Sequence, residues 1–319
     1  MNPQRKFAIL LLAHGSPDRV DEIPEFLRYV TGGRPLPEAV VKEVQHRYGL
    51  IGASPLTRIT LKQGEQLARE LKLPVYVGMR NWRPLIGDVV EQMRRDGIAR
   101  SVAICLAPQN SQTSVGLYRE ALLGDSGAAP FEVDFVDNWH DHPLLIKAFA
   151  EKLEAGWKRA CDEAGTRVPI IFTAHSVPQR TITEGDPYEA QAKETASLVA
   201  MEAPRLTVDD WQFAFQSQGM SGGAWLGPTV EDTIRELKAK GHRAVFLQPI
   251  GFLCDHVEVL YDIDIAFRQF AEKEGMRLWR AESLNESPML IAALADVARS
   301  RLVPAGQPKQ QIVQIASRQ

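Results

Sequence analysis

The strongest constraint on the fold is a unit that occurs twice. The apolar run Phe7-Ala8-Ile9-Leu10-Leu11-Leu12 leads into Ala13-His14-Gly15-Ser16-Pro17, and Val168-Pro169-Ile170-Ile171-Phe172 leads through Thr173 into Ala174-His175-Ser176-Val177-Pro178. A short apolar run that stops at a turn of small residues reads as a buried strand. The two histidines lie about half of the 319-residue chain apart, each where such a strand should end. In open α/β sheets that carboxyl end is where ligands bind. The repeat predicts two similar α/β halves, each directing an imidazole into a shared cleft, with metal handling as the first chemistry to test.

The rest of the chain alternates in the same way. Strands are predicted over 7–12, 74–79, 101–106, 131–136, 168–173, 211–215, 244–249 and 276–280. Helices are predicted over 55–71, 84–95, 143–164, 187–203, 229–240, 255–274 and 286–302, with a helix-prone stretch over 20–49. In 84–95, Leu85, Val89 and Met93 recur at the spacing of one buried stripe. Ser54 and Asp255 are placed to cap the helices that follow them. Such alternation means parallel sheets covered by helices on both faces. The long helix over 143–164 divides the chain into 1–142 and 143–303, and a shift to Gly, Pro, Gln and Lys predicts a flexible tail over 304–319. With 45% hydrophobic residues, the chain can bury two cores.

Charge and cysteine content narrow the class. A net charge of −3 without a basic block argues against nucleic-acid binding. Cys105, Cys161 and Cys254 are widely spaced, which argues against disulfides, a zinc knuckle or an iron–sulfur cluster and for a reducing compartment. The N-terminal apolar run is too short for an export signal, and no stretch approaches a membrane span, so a soluble cytoplasmic protein is expected. There is no phosphate-binding GxGxxG or GxxxxGK[ST] string.

The chemistry gathers in the second half. After the run Val245–Ile250 come Asp255, His256, Glu258 and Asp262, with Glu258 and Asp262 four residues apart on one helical face. An imidazole at His175 opposite such a carboxylate suits proton abstraction and brief tenure of a divalent metal. The same residues also suit a solvated acidic face and a histidine bonded to backbone. His256, two residues from Glu258, is expected to point elsewhere and to make a structural hydrogen bond. His46, His140, His142 and His242 lie in polar segments expected to be exposed. Trp225, beside Gly227 and Pro228, is either a pocket wall or a packed loop.

Read together, these strings resemble the ferrochelatase family. The resemblance runs from about Phe7 to Arg301. It includes Tyr48-x-x-Ile51-Gly52-x-Ser54-Pro55-Leu56-x-x-x-Thr60-x-x-Gln63, Leu106-Ala107-Pro108-Gln109-x-Ser111 and Phe172-Thr173-Ala174-His175-Ser176-Val177-Pro178. It continues through Gly185-Asp186-Pro187-Tyr188-x-x-Gln191, Gln216-Ser217, Trp225-Leu226-Gly227-Pro228 and Asp255-His256-x-Glu258-x-Leu260-Tyr261. The resemblance implies two similar Rossmann-like domains, parallel sheets flanked by helices, with a porphyrin cleft between them. It implies insertion of Fe²⁺, as substrate and not as a resident cofactor, into a porphyrin in haem biosynthesis, and a monomeric enzyme is expected. His175 and Glu258 match the family's catalytic pair, as base with transient metal ligand and as proton acceptor with metal guide. Asp262 would extend the metal site, His14 would meet iron from the opposite face, and Ser54, Arg80, Ser114, Tyr118 and Trp225 would line the cleft.

Ala13-His14-Gly15-Ser16-Pro17 stands where many Gram-positive members carry Ala-Tyr-Gly-Thr-Pro, and those members metallate coproporphyrin III. The resemblance therefore favours coproporphyrin III over protoporphyrin IX. The chain departs from those relatives at His14, which replaces the tyrosine, at Thr31-Gly32, which replace paired arginines, and at Ala266, which replaces a carboxylate. Arg34 or Arg80 is left as a candidate propionate contact. Two other functions stay open: a sirohydrochlorin- or cobalt-type chelatase, and a non-catalytic haem or porphyrin carrier.

Overall fold

In a computed structural model, residues 6–218 and 223–302 are described. Residues 1–5, Gly219 and the tail predicted over 304–319 lie outside the described residues.

The first half forms a sheet of β1 (Lys6–Ala13), β2 (Val75–Met79), β3 (Ile98–Cys105) and β4 (Glu132–Val136), in the order β2-β1-β3-β4 with all neighbours parallel. The second half forms β5 (Ile170–His175), β6 (Trp211–Gln216), β7 (Ala244–Pro249) and β8 (Arg277–Arg280), in the order β6-β5-β7-β8, again parallel. The two sheets have the same topology. In each, the first strand of the half lies inside the sheet, β1 stopping one residue before His14 and β5 ending on His175. This strand order reverses direction between the first and third strands, and the crevice at that switch point is the favoured ligand position of such a sheet.

The near-continuous apolar runs follow from burial on both faces. Ala8, Leu10 and Leu12 of β1 pack with α4 (Ile86–Arg95) and α5 (Leu117–Leu123). Ile9, Leu11 and Ala13 face the other way, into a core that also takes Leu67 and Leu71 of α3 (Leu56–Leu71). That same core receives Ile170, Phe172 and Ala174 of β5 together with α6 (Pro143–Ala164) and α8 (Tyr188–Glu202). Gly156 lets α6 lie against β7, because a Cβ there would stand 2.8 Å from Cζ of Phe246. On the outer face Ile171, Val245 and Leu247 meet α9 (Val230–Ala239) and the segment from Val259 to Ala271.

The last helix, α12 (Pro288–Leu302), packs on both α6 and α3. Its Arg299 reaches Glu70 at 2.7 Å and its Arg301 reaches Asp134 at 3.4 Å, so this helix ties back to α3 and β4 of the first half.

The observed elements lie within a few residues of those expected, with four differences. The helix expected over 255–274 is three pieces: α10 (Val257–Leu260), a π-helical stretch Asp262–Phe267 and α11 (Arg268–Lys273). The stretch over 20–49 resolves into α1 (Ile23–Val30) and α2 (Glu38–Ile51), and a short α7 (Gln179–Thr183) follows β5. Neither predicted cap sits at the cap position. Pro55 caps α3, with Ser54 Oγ accepting from Leu56 N at 3.4 Å one residue earlier, and His256 caps α10 while the Asp255 carboxylate turns towards Ser283 and Asn285. Finally, His140 is buried rather than exposed, bonded to Glu194 at 3.0 Å. His142 caps α6, its Nδ1 accepting from Leu144 N.

Candidate active site

His14 directly follows β1 and His175 ends β5, and the backbone of each turn sets the tautomer of its ring. Nδ1 of His14 lies 2.9 Å from the Gly15 carbonyl, and Nδ1 of His175 lies against the Ser176 carbonyl. A carbonyl oxygen only accepts, so in each neutral ring Nδ1 carries the hydrogen and Nε2 keeps its lone pair. Gly15 makes the first turn possible. Its φ is +79°, and a Cβ would stand 2.9 Å from the Cβ atoms of both Met79 and Trp82.

Glu258 comes from α10, which starts just beyond β7 and meets the first half through Val257, packed on Ile23, Phe26, Tyr48 and Trp82. Its Oε1 lies 3.5 Å from Nε2 of His175 and its Oε2 lies 3.5 Å from Nε2 of His256. The pair is reachable from solvent, with side-chain exposures of 32% for His175 and 31% for Glu258. Nδ1 of His256 lies 3.0 Å from the Cys254 carbonyl. All three histidines therefore anchor Nδ1 on a carbonyl and offer Nε2 to the site.

Their electrostatic settings differ. Protein walls around Glu258 favour its neutral form, but the charges of His175, His256 and His14 and the His256 hydrogen bond prevail and hold its pKa down at about 2. For His256, crowding lowers the pKa, and the hydrogen bond and charge of Glu258 outweigh it to give a net rise. For His14, exposed as a residue yet crowded by protein, crowding dominates and keeps the pKa below the ordinary histidine value. The Gly15 carbonyl and Glu258 oppose that shift, and Arg80 adds to it. Asp262 is shifted upward by burial and by Glu258, against the hydrogen bond donated by Ser217.

These interactions gather His14, Arg80, Tyr118, His175, Glu258 and Asp262 into one neighbourhood, with Tyr118 electrostatically linked to both Arg80 and Glu258. Trp225 pairs by backbone with Pro178, three residues beyond His175. Ser54 is buried and bonds Leu56 N, and Ser114 bonds by its backbone to Ser111 within the π-helical turn Gln112–Gly116; both hold their own loops in shape. Among the described residues, no group of three or more His, Cys, Asp or Glu side chains is placed to hold a metal ion. A pocket of about 780 Å³ beside α6, lined by Trp157, Cys161, Arg167 and Leu206, contains none of the clustered residues.

Sequence reasoning missed His256 as a member of the site. A helical reading puts residues 256 and 258 on different faces, but His256 has extended backbone (φ −162°, ψ −174°) as the cap of α10, which frees its ring to turn towards Glu258. Also missed was the work of several motif residues in joining the halves. Gln109 donates to Thr195 and to the Ile250 carbonyl, Gln191 accepts from Asn110 N at 2.6 Å, and Asp186 accepts from Ser111 Oγ and Gln112 N. Tyr188 donates to the His175 carbonyl at 3.0 Å. A buried amide or carboxylate in an apolar context was the available signal, since such groups need partners.

The chain matches known proteins over nearly its whole length. A family model described as Ferrochelatase matches residues 6–302. A ferrochelatase of Acidobacterium capsulatum is 55% identical over 313 residues, covering 94% of this chain and 95% of that one. A coproporphyrin III ferrochelatase of Geobacillus sp. is 35% identical over 309 residues, covering 94% and 99%. Among solved structures, SirB of Bacillus subtilis with Fe³⁺ is similar with a TM-score of 0.56 at 12% identity, covering 92% of this chain and 95% of that one; at this identity the likeness concerns the fold.

Proposed function

The chain belongs to the ferrochelatase family, a family of metal chelatases of the lyase class, and from that premise we propose the roles of its residues and the porphyrin it takes. Porphyrin and Fe²⁺ are the substrates. Metallation must release two N–H protons from a planar ring whose lone pairs point inward, so bases are needed on the face where the protons leave.

His175 is the first base. Its Nε2 receives a pyrrole proton, and the imidazolium so formed faces Glu258 at 3.5 Å, where the contact turns from indifferent to attractive. Glu258, ionised throughout the neutral range, stabilises that cation and passes protons on with His256. His14 approaches the ring from the first half, and its depressed pKa keeps the Nε2 lone pair free at neutral pH to meet the metal. Fe²⁺ is then shared between these few side chains and the porphyrin nitrogens, and Asp262 adds a carboxyl to the approach. A set of weak ligands releases iron to the ring, whereas a closed four-ligand site would retain it.

Coproporphyrin III is the preferred ring. The Ala13-His14-Gly15-Ser16-Pro17 string supports this choice, as do relatives named as coproporphyrin III ferrochelatases and the cation Arg80 beside His14. The observation that carries the reading is the pair of Nε2 atoms, of His175 and His256, each 3.5 Å from the Glu258 carboxylate, with His14 of the first half close enough to feel its charge. The test is anaerobic turnover with Fe²⁺ and each porphyrin. Faster metallation of coproporphyrin III is expected, and preference for protoporphyrin IX would refute the substrate assignment.

A further inference from the structure

Glu258 hangs from α10, a single helical turn of four residues, and one turn fixes little by itself. The segment leading into it is held by a clasp to the loop before α12. Asp255 N donates to Asn285 Oδ1 at 2.8 Å, and Asn285 Nδ2 donates to Asp255 Oδ2 at 2.9 Å. Asn285 N in turn donates to the Leu253 carbonyl at 2.8 Å. The other Asp255 oxygen accepts from Ser283 Oγ at 2.7 Å and faces Arg280 at 3.4 Å. Arg280 also bonds Asp264 through two nitrogens, at 2.7 and 2.8 Å, so it grips the chain again beyond Glu258.

The clasp extends to the first half. The Asn285 carbonyl accepts from Nε2 of Gln63 at 2.6 Å, and Gln63 is fully buried on α3. Asn285 holds a φ of +48°, a conformation that asparagine tolerates better than most residues. Its amide is the group suited to this place, because it must donate to a carboxylate and accept from an N–H at once. An aspartate there would set two carboxylates against each other, and an alanine would make neither bond.

We infer that Asn285 is a positioning residue for metal insertion: by clasping Asp255 it fixes the entry to α10 and so the place of Glu258 opposite His175. This rests on the role proposed for Glu258. Residues that orient a metal-handling side chain without touching the metal typically contribute about 10- to 100-fold to activity or affinity.

Asn285→Gly tests the inference, because glycine keeps the positive φ and the main-chain bonds while removing both side-chain bonds. With Fe²⁺ and coproporphyrin III, kcat is expected to fall about tenfold while the porphyrin KM stays within about twofold and circular dichroism matches the parent. Ser283→Ala, a milder change to the same clasp, is expected to lower kcat less, in the same sense, and decides the matter where the glycine variant does not fold. Parental kcat in the folded variants, or a loss matched by weaker porphyrin binding, overturns the inference. Glu258→Gln is measured alongside. An inactive Glu258→Gln beside an unimpaired Asn285→Gly refutes the positioning role alone, whereas an active Glu258→Gln refutes the role of Glu258 and the inference with it.

Discussion

His175 and His256 each present Nε2 to Glu258, His14 lies within reach of its charge, and the surroundings of the three rings differ. Crowding keeps His14 easier to deprotonate than an ordinary histidine, while Glu258 makes His256 harder to deprotonate. In the metal-free protein, an NMR titration should therefore show His14 protonating below 6.5 and His256 above it. Glu258→Gln removes an anion that stabilises both imidazolium ions, so both titrations should move to lower pH; an upward move would contradict the geometry. Gly15 offers a second test. Gly15→Ala combines a φ of +79° with a Cβ 2.9 Å from two neighbours, so stability should fall by about 1–3 kcal/mol in denaturant unfolding, with His14 displaced and metallation slowed. The nearness of His14, His175 and Glu258 was legible in the sequence, because the two histidines stand at strand ends and Glu258 stands in a distinctive string. His256 was not, because its role depends on one extended residue at the start of a helix.

Elements with one strong apolar signal were read nearly to their ends. β7 matches its expected range, and α6 ends at Gly165, a left-handed cap. The helix expected over 255–274 is broken in the structure, although Val257, Leu260, Ile263 and Phe267 keep a helical apolar pattern. A wider turn at Asp262–Phe267 preserves that pattern, so periodicity does not reveal it. The caps were misjudged by one residue or one bond, since Pro55 and His256 took positions that propensity assigns to Ser54 and Asp255. At this scale Gly156 is the sensitive point. Gly156→Ala would press α6 against Phe246, and overpacking should cost about 1–3 kcal/mol in denaturant unfolding, with kcat of the folded enzyme unchanged. A variant as stable as the parent would show that α6 shifts freely.

The repeat seen in the sequence became two sheets of identical order, which bring different groups to one neighbourhood. One contributes His14 without a local carboxylate; the other contributes His175 together with α10. What joins them was not legible, because the cross-bonds pair residues far apart in the chain, such as Gln63 with Asn285 and Gln109 with Thr195. Polar side chains give no sign of a partner at that separation. No helix among the described residues is long and apolar enough to cross a membrane. Gln109→Ala removes two of the cross-bonds and should lower the unfolding temperature without abolishing porphyrin binding, as read by thermal melting and by quenching of tryptophan fluorescence. The most direct test of the site is a single-turnover experiment in which Fe²⁺ is mixed anaerobically with coproporphyrin III bound to His175→Ala. The bound ring should remain metal-free, its insertion rate at least about 100-fold below the parent. Metallation at the parental rate would contradict the assignment of His175 and Glu258 as the pair that takes the pyrrole protons.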